Sequence, residues 1–291
     1  MHETRGGLLI LQTTVFTTLA MLAFAANSLL CRFALQRHEI DPVSFAAIRL
    51  VSGAIMLAVI VRLRPERSSP RHADWLAATM LFAYVAFFSF AYLTLSAGTG
   101  ALILFGAVQL TMLSVGVRSG EKFGYVAWFG LALAVAGLCY LVSPGIAAPP
   151  LLGAASMAIA GVAWGVYSLR GRRLTDPLAA AAGNFARAAL LVPLLSLLFI
   201  VNARAYTDAA GVALSVASGA LTSGIGYVIW YAALSRLSAM RAATVQLSVP
   251  LIAAFGGVLF LSEAITPRLI VASTAILGGI AMVMTSRSRN H

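Results

Sequence analysis

The chain has 291 residues, of which 60% are hydrophobic and only 10% charged, with a mean hydropathy of +0.93 and a formal net charge of +11. Soluble domains carry roughly 25% charged residues, so this composition excludes an ordinary water-soluble enzyme or binding module and indicates an integral membrane protein. The basic excess is spread between apolar stretches, which argues against nucleic acid as a partner.

A bilayer core needs about 20 predominantly apolar residues per helix. Ten such stretches follow one another, at 13–35, 44–62, 75–95, 99–117, 123–142, 151–169, 178–201, 209–231, 242–261 and 267–286. The connections are too short to fold alone, so the expected fold is all-α, one membrane domain of ten transmembrane helices. The first stretch is too long for a secretory signal and shows no small-residue cleavage site. With the N-terminus placed in the cytoplasm, fourteen Lys and Arg fall on inside segments, four outside (Arg32, Arg37, Arg204 and Arg268), and two, Arg49 and Arg187, within spans. That bias satisfies the positive-inside rule and puts both termini in the cytoplasm of a multi-pass inner-membrane protein.

Polar residues inside spans are costly unless they face protein or water, so each is a candidate for function. In chain order they begin with Asn27 in span 1 and Arg49 in span 2, whose guanidinium either meets substrate or hydrogen-bonds neighbouring carbonyls as a structural cation. Tyr84 and Phe88, four apart in span 3, share a helix face. Gly98 and Gly100 open span 4 with small residues that allow close approach or bending, and Gln109 lies deeper in it. Span 6 brings Trp164, Tyr167 and Ser168 within one turn, and span 7 carries Asn184 and Arg187, the latter read as structural. In span 8 Ser223, Tyr227, Trp230 and Tyr231 form a stripe; Trp230 and Tyr231 lie near its end and read as an interfacial belt. Span 9 holds Gln246 and is interrupted by Pro250, which with the two glycines marks the expected gate or kink. Cys31 and Cys139 read as apolar filler, with no disulfide expected.

The second half repeats the first. At a constant offset of 142, Ser96-Ala97 meets Ser238-Ala239, Glu121 meets Glu263 and Gly137 meets Gly279; Arg32 meets Arg170 at 138, and Asp41-Pro42 meets Asp176-Pro177 at 135. The Asp-Pro register sets Asn184 opposite Arg49. Five spans per unit make the repeats inverted, with a boundary between 1–147 and 148–291, and inverted repeats point to a transporter.

These features together resemble the ten-span drug/metabolite transporters of the EamA type. The resemblance rests on Arg49, the hairpin Leu95-Ser96-Ala97-Gly98 and its repeat Leu237-Ser238-Ala239, Pro250 ahead of a Gly-rich run into Glu263, and the glycines Gly137 and Gly279. The fourth span departs from the family in carrying Val108-Gln109 where a proline is common. Within the family the chain is similar to amino-acid exporters of the YddG type. The resemblance implies a central cavity lined chiefly by spans 1, 3, 4, 6, 8 and 9, and export of amino acids or other small metabolites, with no cofactor or metal, from a monomer in the lipid bilayer. Carried onto this sequence, the cavity candidates are Asn27, Tyr84, Phe88, Gln109, Trp164, Tyr167, Tyr227 and Gln246, with Arg49 beside them. Aromatic walls suit apolar or aromatic amino acids, and many drugs as well.

All nine acidic residues fall in termini, loops or span ends, and no histidine lies within a span. Proton antiporters usually place an ionisable group at depth, so the expected mechanism is facilitated export by alternating access. A proton-coupled drug exporter is the alternative. A membrane-embedded enzyme is a remote one, since the spans hold no His or carboxylate to form a catalytic set.

Overall fold

A computed structural model describes residues 2–64, 74–118, 124–171, 174–237 and 239–287, without the side chains of 2–10, 239, 240, 243, 286 and 287. Glu121 and Ser238, used above to align the halves, lie outside the described residues. The described chain is helical. It runs α1 (His2–Gln36), α2 (Pro42–Arg62), α3 (Trp75–Ala91), α4 (Ala97–Arg118), α5 (Tyr125–Val142), α6 (Leu151–Gly171), α7 (Pro177–Val201), α8 (Ala209–Val216), a π-helical segment (Ala217–Ile225), α9 (Gly226–Leu234), α10 (Ala239–Gln246), α11 (Ser248–Leu261) and α12 (Pro267–Arg287).

Nine helices among the described residues are long and apolar enough to cross a membrane, α8 through α9 counting as one of 26 residues. The apolar helix α3 is shorter, at 17 residues. The stretch 75–95 does not continue as helix to its end, because the chain turns at Tyr92–Thr94. The stretch 242–261 is broken at Leu247, ahead of Pro250, whose ring nitrogen cannot donate to the carbonyl of the preceding turn. By contrast α4, which lacks a proline, runs without interruption.

Aspartates start four of the helices. Asp41, Asp74, Asp176 and Asp208 are the N-caps of α2, α3, α7 and α8, each accepting backbone N–H groups of the first turn. Such caps satisfy donors that have no partner inside the helix and place negative charge at the positive end of its dipole. In both α2 and α7 a proline follows the cap at the first helical position, where its missing N–H costs nothing. Four of the nine acidic residues of this apolar chain are thereby accounted for as helix starts.

The helices pack in a pattern that survives exchange of each stretch for the one five places along. Stretch 3 (α3) packs on stretch 6 (α6), and stretch 8 (α8 to α9) packs on stretch 1 (α1); α4 packs on α6, and α11 on α1. Of the other contacts, α2 with α7, α5 with α12 and α4 with α11 each join corresponding helices, while α2 also packs on the π-helical segment and α3 on α7. The first two pairs are antiparallel. Asp41 N–H donates to the Tyr206 carbonyl at 2.9 Å at one end of α2 and α7, and Arg64 meets Asp176 at 3.4 Å at the other. Along α5 and α12, Gly130 lies against Gly279 while Gly137 lies against Ala275 and Ile276, so the numbers run in opposite directions. A Cβ on Gly130 or Gly279 would collide with the facing backbone, so these glycines set how closely the two helices approach.

The outer faces of α5, α7, α11 and α12 expose large apolar side chains, among them Phe129, Leu190, Leu194, Phe255, Phe260 and Ile270. A surface of that kind suits lipid, and the small and polar residues are turned inward.

Candidate functional site

An internal cavity of about 520 Å³ lies between the helices. Its wall is assembled from the same helical spacing again and again: Phe24, Asn27 and Ser28 on α1; Phe105, Val108, Gln109 and Met112 on α4; Trp164, Tyr167, Ser168 and Gly171 on α6. The pattern recurs as Pro177, Ala180, Ala181 and Asn184 on α7, and as Tyr227, Trp230, Tyr231 and Leu234 on α9. Steps of three and four residues keep side chains on one face, so each helix gives the cavity a single stripe. From α3 come Ala77, Tyr84 and Phe88, and from α10 Ala242 and Gln246.

Eight of the residues singled out from the sequence therefore come together: Asn27, Tyr84, Phe88, Gln109, Trp164, Tyr167, Tyr227 and Gln246. Arg49 does not reach the wall. It lies one layer behind, 1% exposed, with its guanidinium carbon 5.2 Å from the Tyr84 ring centre and 4.9 Å from that of Phe88. Its Nη2 donates to the Tyr84 hydroxyl at 3.0 Å and its Nε to the Ser223 hydroxyl at 3.4 Å. Arg187 does not line the cavity and lies 5.9 Å from the ring centre of Trp75.

The expected interfacial belt at Trp230 and Tyr231 is not observed. Trp230 is 8% exposed and packs edge-on to Phe24 at 5.8 Å, and Tyr231 packs edge-on to Tyr227 at 6.3 Å. Nearness to a helix end does not mark a belt here, because Trp230 and Tyr231 continue the Tyr227 stripe along the cavity wall. Phe24, Ser28, Phe105, Ser168 and Asn184 also line the cavity without having been proposed for it. The signal that finds them is the three-and-four spacing from residues already suspected: Phe24 and Ser28 flank Asn27, and Phe105 precedes Gln109.

The aromatic residues form a connected group. Trp164 stands 4.8 Å from Tyr84, 5.3 Å from Tyr167 and 5.7 Å from Tyr227 between ring centres, all at tilted angles. Rings at these separations attract one another beyond simple burial and offer apolar faces with polar edges.

Among the described residues, charge appears on the cavity wall only at its exposed end. There Arg170 donates to Asp74 at 2.9 Å, and both side chains are partly exposed. Burial pushes the Asp74 carboxyl up, but hydrogen bonds from Ala77 N–H and from Arg170, with the charge of Arg170, outweigh it and hold the group below its ordinary value.

The opposite end is closed. Arg32 at the end of α1 meets Glu263 at 3.1 Å and donates to the carbonyls of Tyr92 and Leu93 at 3.0 and 3.2 Å. The second oxygen of Glu263 accepts Ala97 N–H, the first of α4, at 2.8 Å. Gly98 sits against Ala254 of α11 in the same region, and Gly100 against the Tyr92 ring. Ser262, which precedes Glu263, has a φ of +54°, a left-handed conformation that ends α11 and turns the carboxylate back toward α4. Pro250 is buried in the first turn of α11.

The polar centre is formed around the π-helical segment. Asn27 Oδ1 accepts the hydroxyls of Ser218 at 2.8 Å and Thr222 at 2.6 Å, while Ser223 holds Arg49. Gly219 lies against the Ser52 side chain and the Arg49 carbonyl, so α2 passes over the segment at a distance only glycine permits. A π-helical turn within an α-helix commonly marks a functional position.

Comparison with known proteins agrees with this architecture. The EamA-like transporter family matches residues 12–143 and again 151–285. The chain is 52% identical over 276 residues to "Uncharacterized protein PA1977" of Pseudomonas aeruginosa, covering 95% of this chain and 96% of that one. It is 30% identical over 238 residues to "Threonine/homoserine exporter RhtA" of Escherichia coli (strain K12), covering 79% and 78%. A solved crystal structure at 20% identity superposes with a TM-score of 0.65, covering 93% of this chain and 96% of that one, which shows a shared fold.

Proposed function

The chain belongs to the EamA-like transporter family, and from that membership we propose that it exports amino acids and similar small metabolites from the cytoplasm by alternating access. Membership in this family and the exporter named among its relatives point to a transporter rather than a membrane-embedded enzyme. The observation that carries the proposal is the cavity itself, about 520 Å³, walled by aromatics and amides and closed at one end by the group around Arg32 and Glu263. Sites for small molecules have this size and this mixture of apolar wall with few polar groups. The relative named as a threonine/homoserine exporter supports amino acids as the cargo.

Ten spans in two inverted halves, 1–147 and 148–291, are the proposed topology. Supporting it are the antiparallel packing of α2 on α7 and of α5 on α12, and the match of one family to each half. The charge bias assigns the open end, at Asp74 and Arg170, to the cytoplasm of a bacterial inner membrane, so the chain is caught facing inward. Asn27, Tyr84, Phe88, Gln109, Trp164, Tyr167, Tyr227 and Gln246 are the proposed contacts, with Arg49 supplying charge from behind Tyr84. Gly98, Gly100 and the break before Pro250 are the proposed points of movement. Export runs down the substrate gradient, because the four aspartates nearest the spans are engaged as helix caps. A cation within a residue of the wall disfavours cationic drugs as cargo.

Counterflow of labelled amino acids in proteoliposomes tests the reading, with nucleosides and dicarboxylates as competitors and Trp164→Ala and Gln246→Ala as site variants. Saturable counterflow that both variants impair is expected. Counterflow of nucleosides alone, or variants indistinguishable from the parent, would refute the cargo or the site respectively.

A further inference from the structure

Three polar groups on the cavity wall have their oxygens engaged by donors of the chain itself. Asn27 Oδ1 is taken by the hydroxyls of Ser218 and Thr222, which leaves the amide NH2 to act as donor. Asn184 Oδ1 is taken by Asp74 N–H at 3.1 Å, and its amide side chain also pairs with the Tyr167 hydroxyl. The Tyr84 hydroxyl accepts from Arg49 Nη2, so its own hydrogen is left to donate, and the adjacent cation makes it a stronger donor. All three residues line the cavity.

Charge runs the same way. Asp74 and Arg170 cancel at the mouth, and deeper in, the wall is neutral. Behind Tyr84 the Arg49 guanidinium rests on two hydroxyls and two rings, and its Nη1 is buried with no hydrogen-bond partner among the described residues. Removing an ion from water without a counter-ion costs several kcal/mol, which an anionic group arriving at Tyr84 would partly offset.

We infer that cargo is recognised through a carboxylate, seated against the Tyr84 hydroxyl and the Asn27 amide with Arg49 behind them, while its apolar part lies on Trp164 and Tyr227. This rests on the cavity being the substrate site. It requires the carboxylate and leaves a free amine optional, so it separates amino acids and organic monocarboxylates from amines of the same size.

The test is a matched set added to the purified full-length protein, with the rise in melting temperature as readout: L-phenylalanine, L-phenylalaninamide, phenethylamine and 3-phenylpropanoate, and the corresponding leucine set. The compounds bearing a carboxylate are expected to act at concentrations about tenfold or more below the amide and amine, as hydrogen bonds to a charged group warrant. Tyr84→Phe, which keeps the ring, is expected to abolish that ratio by weakening the acids far more than the amine, and Asn27→Asp to invert it. Amine or amide acting as well as the acids would overturn the inference and leave the transporter reading standing. Silence from every compound in both sets would count against the amino-acid reading and this one together. Arg49→Lys serves as a second charge-preserving variant; an unaltered ratio in Tyr84→Phe decides against the inference whatever its yield.

Discussion

Arg32 and Glu263, 231 residues apart in sequence, meet at 3.1 Å where the cavity is closed, and Glu263 reaches past the arginine to cap the first N–H of α4. The contact joins the end of α1, the α3–α4 turn and the chain after α11 in one place. With side chains 15% and 11% exposed, it is largely shielded from solvent, where removing one partner of an ion pair costs more than at a surface. Release of cargo on that side requires these elements to separate.

Joining residues 32 and 263 covalently should therefore stop transport. In a background lacking Cys31 and Cys139, Arg32→Cys with Glu263→Cys treated with a short cleavable thiol crosslinker should lose counterflow and regain it on cleavage. Binding of ligand from the Asp74 side should persist throughout. Undiminished counterflow in the crosslinked protein would show that this end does not open.

The two partners are unequal. Glu263→Ala removes both the ion pair and the α4 cap, whereas Arg32→Ala removes only the pair and two carbonyl contacts. Glu263→Ala is expected to be the less stable by about 1 kcal/mol, the usual worth of a cap, in thermal unfolding of the detergent-solubilised protein. Equal losses would mean that the contact to Ala97 is worth no more than the two carbonyl contacts of Arg32.

Gly219→Ala should be severely destabilising, by about 1–3 kcal/mol, because its Cβ would meet the Arg49 carbonyl, which cannot move aside without shifting α2. Gly278→Ala, where a Cβ meets nothing within 4 Å, is the control and should be neutral or slightly stabilising. Comparable melting temperatures for the two variants would contradict the close approach of α2 to the π-helical segment.

Asp74 predicts an acid limb. A carboxyl held below its ordinary value contributes stability above its unfolded pKa, about 3.9, and loses it as pH falls through the lower folded value. The stability gap between the parent and Asp74→Asn should be flat from pH 8 to pH 5 and close only below about pH 4. Because the Asp74 side chain is 39% exposed and its partner 44%, the gap is small, on the order of 1 kcal/mol or less. A gap that closes near pH 6 would place a different group in control.

Coupling is tested separately. A pH gradient imposed across proteoliposomes without a substrate gradient should produce no uphill movement of amino acid. Accumulation driven by that gradient alone would require a proton-binding group outside the helix-capping aspartates.

The sequence was most legible where chemistry repeats with helical period. Apolar length located most helix ends to within a few residues, since charge and Asp-Pro caps punctuate the stretches sharply, but it missed the early start of α1 at His2 and the break at Leu247. Amides and aromatics that are costly in lipid had to face inward, which is why Asn27, Gln109, Trp164 and Tyr227 fell on one cavity. Arg49 was legible as unusual but not as lying one layer behind the wall, because depth along a helix does not reveal which neighbour fills the space before it. Trp230 was misread from its distance to a helix end, where only the neighbours that α9 packs on distinguish a cavity from an interface. The Arg32–Glu263 contact was not legible at all: each residue was noted as a repeat marker, and nothing local joins positions 231 apart.

The π-helical segment Ala217–Ile225 also fixes an angle. Wider turns hold more residues than α-turns, so the segment sets the rotational phase between the hydroxyls that grip Asn27 and the aromatic stripe that begins at Tyr227. Each residue of an α-helix turns it by about 100°. Winding the same nine residues into α-turns would swing Tyr227 and Trp230 around the rod while Ser215 stayed in place, dismantling the chamber without altering a single side chain that lines it.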